Sequence, residues 1–233
     1  MTPVNTRIQY WQNIFLDTGI IINLLLHKKS PNSPEAAFVY SLISYLAKNK
    51  TTDGKTRNFY ISSITLCEIL SAENNSEKIH KILSIIDSEN VEFVSFDDVV
   101  ALQLNSVIHP YLSKEYLHRF AREVGFLENE LMMAREWIIK DQMIIMSGAN
   151  RGVDVILTMD KKAFHSFCVQ IQAPCALCYK ELFDYNDTYF FLYKKEKVSA
   201  FTSKVKNHFK VGKTKNSKKS TPQKTINNLR KIP

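Results

Sequence analysis

Asn13-Ile14-Phe15-Leu16-Asp17-Thr18 and Val155-Ile156-Leu157-Thr158-Met159-Asp160 are the two stretches whose reading decides the fold. Each is a short apolar run that stops near an acid and gives way to helix-compatible sequence. Runs of this length, apolar at successive positions, suit strands covered on both faces. Working outward, Phe59-Tyr60-Ile61 reads as a second strand, and Ser62-Ser63 opens a helix that holds Thr65, Glu68 and Leu70. Val91 to Phe96 is a third strand, after which Asp97 or Asp98 caps a helix through about Val107. Val153 to Thr158 is the fourth strand. Met159 to Phe164 is a short turn or helix, and Cys168 to Ile171 reads as a fifth strand ended by Pro174.

The connecting segments carry helical periodicity. Thr18 can cap a helix through Leu26, with Ile21, Leu24 and Leu25 inward. Pro34 suits the first turn of a helix to Lys48, in which Phe38, Leu42, Tyr45 and Leu46 recur at helical spacing. Ser76 with Ile79, Ile82, Leu83 and Ile86 gives another amphipathic helix. Pro110 to Arg135 is helical in character and reads as an insertion. From near Trp137 a strong helix runs to Asn150, where Arg151-Gly152 stops it. Strands alternating with helices predict an α/β fold, a three-layer α/β/α sandwich around a mainly parallel sheet of four to five strands.

Charge is divided unevenly along the 233 residues. Of 31 Lys and Arg and 23 Asp and Glu, residues 194–233 hold 13 bases and one acid, leaving 18 and 22 for the rest. A tail of +12 therefore follows a body of −4, an asymmetry that points to a polyanionic partner. Lys204, Lys206, Lys210, Lys213, Lys215, Lys218 and Lys219 are the candidate nucleic-acid contacts in this tail, which reads as largely disordered. Residues 1–193 form the expected folded domain. The N-terminus lacks the pattern of a secretory signal, and the apolar segment Ile14 to Leu26 carries Asp17 and is too short to span a bilayer. A cytoplasmic, reducing location is expected, with Cys67, Cys168, Cys175 and Cys178 as free thiols.

Ligands of open parallel sheets bind beyond the carboxyl ends of the strands. Asp17 ends the first strand and Asp160 follows the fourth. Glu68 lies about two turns into the helix after the second strand. Asp141 shares the inward stripe of Ile144 and Ile145 on the helix leading to the fourth. Four acids aimed at one crevice repel one another and raise each other's pKa. A hard divalent cation, Mg²⁺ or Mn²⁺, resolves that conflict and can activate water against a phosphodiester. Taken singly, Asp17 and Asp160 read equally as helix caps, and Glu68 as a surface ion-pair partner.

Residues 13 to 172 resemble a PIN domain. Ile14-Phe15-Leu16-Asp17-Thr18 is similar to the family's first strand with its acid, and Thr65-Leu66-Cys67-Glu68-Ile69-Leu70 to the helix bearing the second. Asp141 to Ala149 is similar to the Asp-led helix whose small residues pack on the sheet. Val155 to Phe164 is similar to the last acidic motif, including the Phe four residues after Asp160. The resemblance implies a ribonuclease related to the VapC-type toxins, with Asp17, Glu68, Asp141 and Asp160 as catalytic metal ligands for Mg²⁺ or Mn²⁺. It implies hydrolysis of RNA to a 5′-phosphate and a 3′-hydroxyl. Thr18 and Thr158 enter as supporting hydroxyls, with Asn23 as a further neighbour, and there is room for an antitoxin-like protein inhibitor and a homodimer. The insertion of residues 110–135 and the basic tail depart from small toxin-type domains.

Other readings of the same residues stand beside this one. His165, Cys168, Cys175 and Cys178 have a spacing that could ligate zinc, although Cys168 falls in an expected buried strand. Phosphatases of the haloacid-dehalogenase kind also end their first strand in Asp, but need a second Asp where this chain has Gly19. A non-enzymatic RNA-binding adaptor would use the tail and leave the acids idle.

Overall fold

In the computed structural model, which describes residues 7–29, 33–71 and 91–180, five parallel strands lie in the order β3-β2-β1-β4-β5. They are β1 (Asn13–Leu16), β2 (Asn58–Ser62), β3 (Val91–Val94), β4 (Val155–Thr158) and β5 (Cys175–Leu177). Ile14, Phe15 and Leu16 of β1 pair with Phe59, Tyr60 and Ile61 of β2 on one side. On the other they pair with Val155, Ile156 and Leu157 of β4. Chain order reverses direction between β1 and β4, and that reversal opens a crevice at the carboxyl ends of these two strands.

Successive side chains of a strand point to opposite faces. Ile14, Leu16, Phe59, Ile61, Val155 and Leu157 enter one core with Ile20 and Ile21 of α1 (Thr18–Lys29), several residues of α2 (Pro34–Lys48) and Ile69 of α3 (Ser63–Ser71). Phe15, Tyr60 and Ile156 enter the opposite core. There they meet Phe120 and Ala121 of α5 (Lys114–Val124), Ala134, Ile138, Ile144 and Ile145 of α6 (Leu131–Arg151), and Phe164, Phe167 and Cys168 of α7 (Phe164–Gln170). The helix α4 (Asp98–Ile108) packs against α6. Burial on both faces is why β1 and β4 read as unbroken apolar runs. The expected three-layer α/β/α architecture is present, with the sheet fully parallel.

Local chemistry sets the element ends. Ser33 Oγ accepts from the Ala36 amide at the start of α2, where Pro34 holds the first position. Asp97 Oδ1 accepts from the Val100 amide to cap α4. Gly152, at φ 70°, ends α6 in the left-handed region that favours glycine. Gly148 of α6 serves a different need: a Cβ there would lie 3.1 Å from the Phe15 ring and 3.2 Å from Ile156 Cδ1, so helix and sheet approach only because it has none. Below the strands, Asp154 Oδ2 accepts from the amides of Gln12 and Asn13 at 2.8 and 2.7 Å. Buried Arg57 donates to the carbonyls of Trp11, Ile8 and Asn49.

One element differs from expectation. Cys168 to Ile171 is not a strand: Phe164–Gln170 is α7, and the fifth strand is Cys175–Leu177. Phe164, Phe167 and Cys168 fall on one helical face and fill the core, and Pro174 precedes the strand instead of ending one. The insertion is helical, with α5 and two 3-10 turns, His109–Leu112 and Glu128–Glu130, leading into α6. The helix expected from Ser76, the residues Asp87, Asp184 and Asp187, the aromatic run Tyr189 to Tyr193 and the basic tail lie outside the described residues.

Candidate functional site

Asp17 leaves β1 at the reversal point, and only 5% of its surface is exposed. Its Oδ1 accepts from the Thr18 amide at 2.7 Å, and its Oδ2 from the Thr158 hydroxyl at 2.7 Å. Asp17 thus performs the helix-opening contact expected of Thr18. Burial pushes its pKa from 3.8 up to about 6, against the lowering effect of those two donors, and the charges of Asp160 and Glu68 add to the rise.

The Thr158 hydroxyl oxygen also accepts from the Asp160 amide at 3.0 Å. Asp160 is then held by backbone: Oδ1 accepts from the amides of Lys162 and Ala163 at 2.8 and 3.0 Å, and Oδ2 from Phe164 at 3.4 Å. Its role as a cap and its place in the crevice are compatible, because the cap fixes the carboxylate beside Asp17.

The Thr18 hydroxyl donates to Glu68 Oε2 at 2.7 Å and lies 3.2 Å from the buried Thr65 hydroxyl. That contact brings α3 to the start of α1 and turns Glu68 toward the crevice. Asn23 does not join them, since its amide bonds the Gly19 carbonyl one turn back.

Asp141 approaches from α6. Desolvation, then the charges of Asp17, Asp160 and Glu68, hold its pKa well above the usual carboxylate range, opposed by a hydrogen bond with Trp137. Its Oδ2 is shielded from solvent and has no partner. A buried carboxylate oxygen left unpaired is costly. Beside it, Glu68, Phe126, Met133, Glu136, Trp137, Lys140 and Asp141 line an open cleft of ≈ 330 Å³.

Carboxylate oxygens without histidine or thiolate are the donor set that Mg²⁺ and Mn²⁺ prefer, and the orphaned Asp141 oxygen is what a cation would satisfy. Among the described residues, however, no three Asp, Glu, His or Cys side chains converge closely enough to hold an ion as they stand. The donor chemistry fits such an ion, while the ligand shell is open.

The zinc arrangement has no such support. Cys178 lies in the core of one sheet face, and Cys168 and Cys175 in the core of the other. All three are buried free thiols, and burial raises the pKa of Cys168 and Cys178.

No protein-family model matches the sequence, and no curated protein does. Among solved structures, the fold is similar to VapBC2 from Rickettsia felis bound to a DNA fragment from their promoter. The TM-score is 0.42 and the identity 17%, over 71% of this chain and 98% of that one.

Phe126, Trp137 and Lys140 were not singled out as site residues from the sequence. Trp137 and Asp141 are four residues apart on one helix, a spacing that places them on one face. Phe126 carries no such signal, since it reaches the cleft through the turn after α5. No helix among the described residues is long and apolar enough to cross a membrane.

Proposed function

We propose that this chain is a metal-dependent endoribonuclease of the PIN-domain kind, with Asp17, Glu68, Asp141 and Asp160 as the ligands of Mg²⁺ or Mn²⁺. One observation carries the reading. Acids from four separate segments share the crevice at the carboxyl ends of β1 and β4, and one of them, Asp141, keeps a shielded oxygen with no partner. A structural ion pair would supply a base to answer each acid, and here hydroxyls and amides answer instead.

When bound, a divalent ion lowers the pKa of water and stabilises charge developing on a phosphodiester. The chain's own residues prepare that chemistry. Thr158 fixes the Asp17 carboxylate, three amides fix Asp160, and Thr18 orients Glu68. The Lys-rich segment of residues 204–219 would supply electrostatic attraction to RNA, with a strong salt dependence. An antitoxin-like inhibitor and a homodimer belong to the same reading as consequences of the family resemblance. The dehalogenase-type alternative fits less well, because Gly19 stands where that chemistry needs a second Asp.

The test is incubation of the full chain with mixed RNA in Mg²⁺ or Mn²⁺, beside Asp17→Asn and EDTA controls. Metal-dependent cleavage should appear in the wild type. In the variant it should fall by more than the roughly 10- to 100-fold that residues supporting a metal ligand are worth. Equal cleavage by the variant, or full cleavage in EDTA, rejects the reading.

A further inference from the structure

The cleft beside the acids has a second wall that the acids do not explain. Trp137 is 40% exposed, on the same open stretch of α6 as Met133 at 54%. The Phe126 ring meets its ring edge-on, with centroids 5.4 Å apart and planes at 86°. Phe126 comes from the turn after α5, where Gly125 adopts φ 101°, so a backbone feature delivers this ring to α6. Met133 lies one turn before Trp137, and Lys140 one turn after, on the same cleft wall. Trp137 and Asp141 line the same cleft, one turn apart on α6, so the aromatic wall adjoins the acidic crevice.

Resting on the nuclease reading, we propose that Trp137, supported by Phe126, is a stacking platform for one unpaired base of a single-stranded nucleic acid, with Lys140 placed for the adjoining phosphate. Ring face, volume and charge all favour this occupant. An edge-to-face pair leaves the partner's face free, and a nucleobase presents a flat π-surface of any sequence to it. At ≈ 330 Å³ the cleft can take a base but not the end of a duplex. Among the described residues, Lys140 is the one cation lining the cleft, so the backbone is held on its side while the base enters beside Trp137. Substrate is thereby restricted to unpaired segments, because a stacked and paired base cannot reach the platform.

The tryptophans provide the readout. Trp11 is buried and far from the aromatic wall in the sequence and the fold, so it contributes a constant background, while Trp137 reports the cleft. The full chain is titrated with a short single-stranded oligoribonucleotide in EDTA, so that cleavage plays no part. The same backbone with every base removed and a blunt duplex serve as comparisons. Trp137 emission should be quenched by the intact single strand and not by the other two.

Trp137→Ala should weaken single-strand affinity about 5- to 100-fold, the range one stacked base supplies. Trp137→Phe keeps a ring without the indole N–H and should recover most of that loss. Equal affinity of Trp137→Ala and wild type overturns the proposal. So does equal loss in both variants, or quenching by the duplex. Emission that changes with protein concentration alone would assign this face to a second copy of the chain and also overturn it. If quenching persists where the metal assay shows no cleavage, the nuclease reading fails and the platform stands. Cleavage without quenching gives the converse.

Discussion

Removing the charge of Asp17 should make the metal-free protein more stable while abolishing its activity. The carboxyl's pKa rises from 3.8 to about 6 on folding, chiefly through burial. The folded state therefore binds the proton more tightly than the unfolded chain, and stability falls as pH rises between those two values. Below 3.8 the carboxyl is neutral in both states and nothing is lost. Above about 6 the full penalty applies, about 3 kcal/mol at about 1.4 kcal/mol per pH step. Asp17→Asn removes it and retains an acceptor for the Thr18 amide, while the new amide can donate to the Thr158 oxygen. Thermal unfolding in EDTA should show the variant melting roughly 6 to 12 °C higher near pH 7.5, taken as an upper bound for a chain of this size. The difference should shrink to well under 1 kcal/mol near pH 4. A variant no more stable than wild type at pH 7.5, or a gain that persists unchanged at pH 4, refutes the electrostatic account of the crevice.

Three further outcomes follow from the same geometry. Mg²⁺ or Mn²⁺ should raise the melting temperature of the wild type, by about 2.7 kcal/mol of stability at a hundredfold excess over Kd, and leave an Asp17→Asn/Asp141→Asn double variant unmoved; calorimetry with and without the ion decides it. Thr158→Val keeps the shape but deletes the donor to Asp17 and the acceptor for the Asp160 amide. It should cost about 1–3 kcal/mol in denaturant unfolding and move the Asp17 titration above about 6, which carboxyl NMR would detect. Gly148→Ala forces a methyl against Phe15 and Ile156, and urea unfolding should show a loss of about 1–3 kcal/mol, whereas Ala149→Ser, a near neighbour, should cost less.

Much of the fold was legible because burial on both faces leaves a simple trace. Ile14-Phe15-Leu16 and Val155-Ile156-Leu157 have no polar residue to confuse the pattern, and Pro34 and Gly152 mark helix ends by backbone chemistry alone. Asp17 and Asp160 were placed by topology, since the acids follow strands that pair with each other in the sheet. The error at Cys168 to Ile171 has a physical origin. A short apolar run with Val169 and Ile171 suits a strand, and periodicity over so few residues cannot separate it from a buried helix face. Phe164, Phe167 and Cys168 held the helical spacing, but it became decisive only with Asp160 capping the turn ahead of them. The aromatic wall was hidden for another reason: Phe126 and Trp137 are joined through a left-handed turn and a 3-10 segment, which no sequence period connects.

The hydrogen bonds around the four acids divide the crevice like a vice with one fixed and one sliding jaw. Asp17 and Asp160 are clamped by backbone amides and by a single hydroxyl shared between them. Glu68 is tethered by one hydroxyl, and Asp141 keeps an oxygen unengaged. If the proposed ion binds, closing on ions of different radius would fall to α3 and α6, while β1 and β4 stay put. Such a device would grip Mg²⁺ and Mn²⁺ with little distinction in the fixed contacts, and discrimination between them would reside in how far the Glu68 and Asp141 carboxylates can travel.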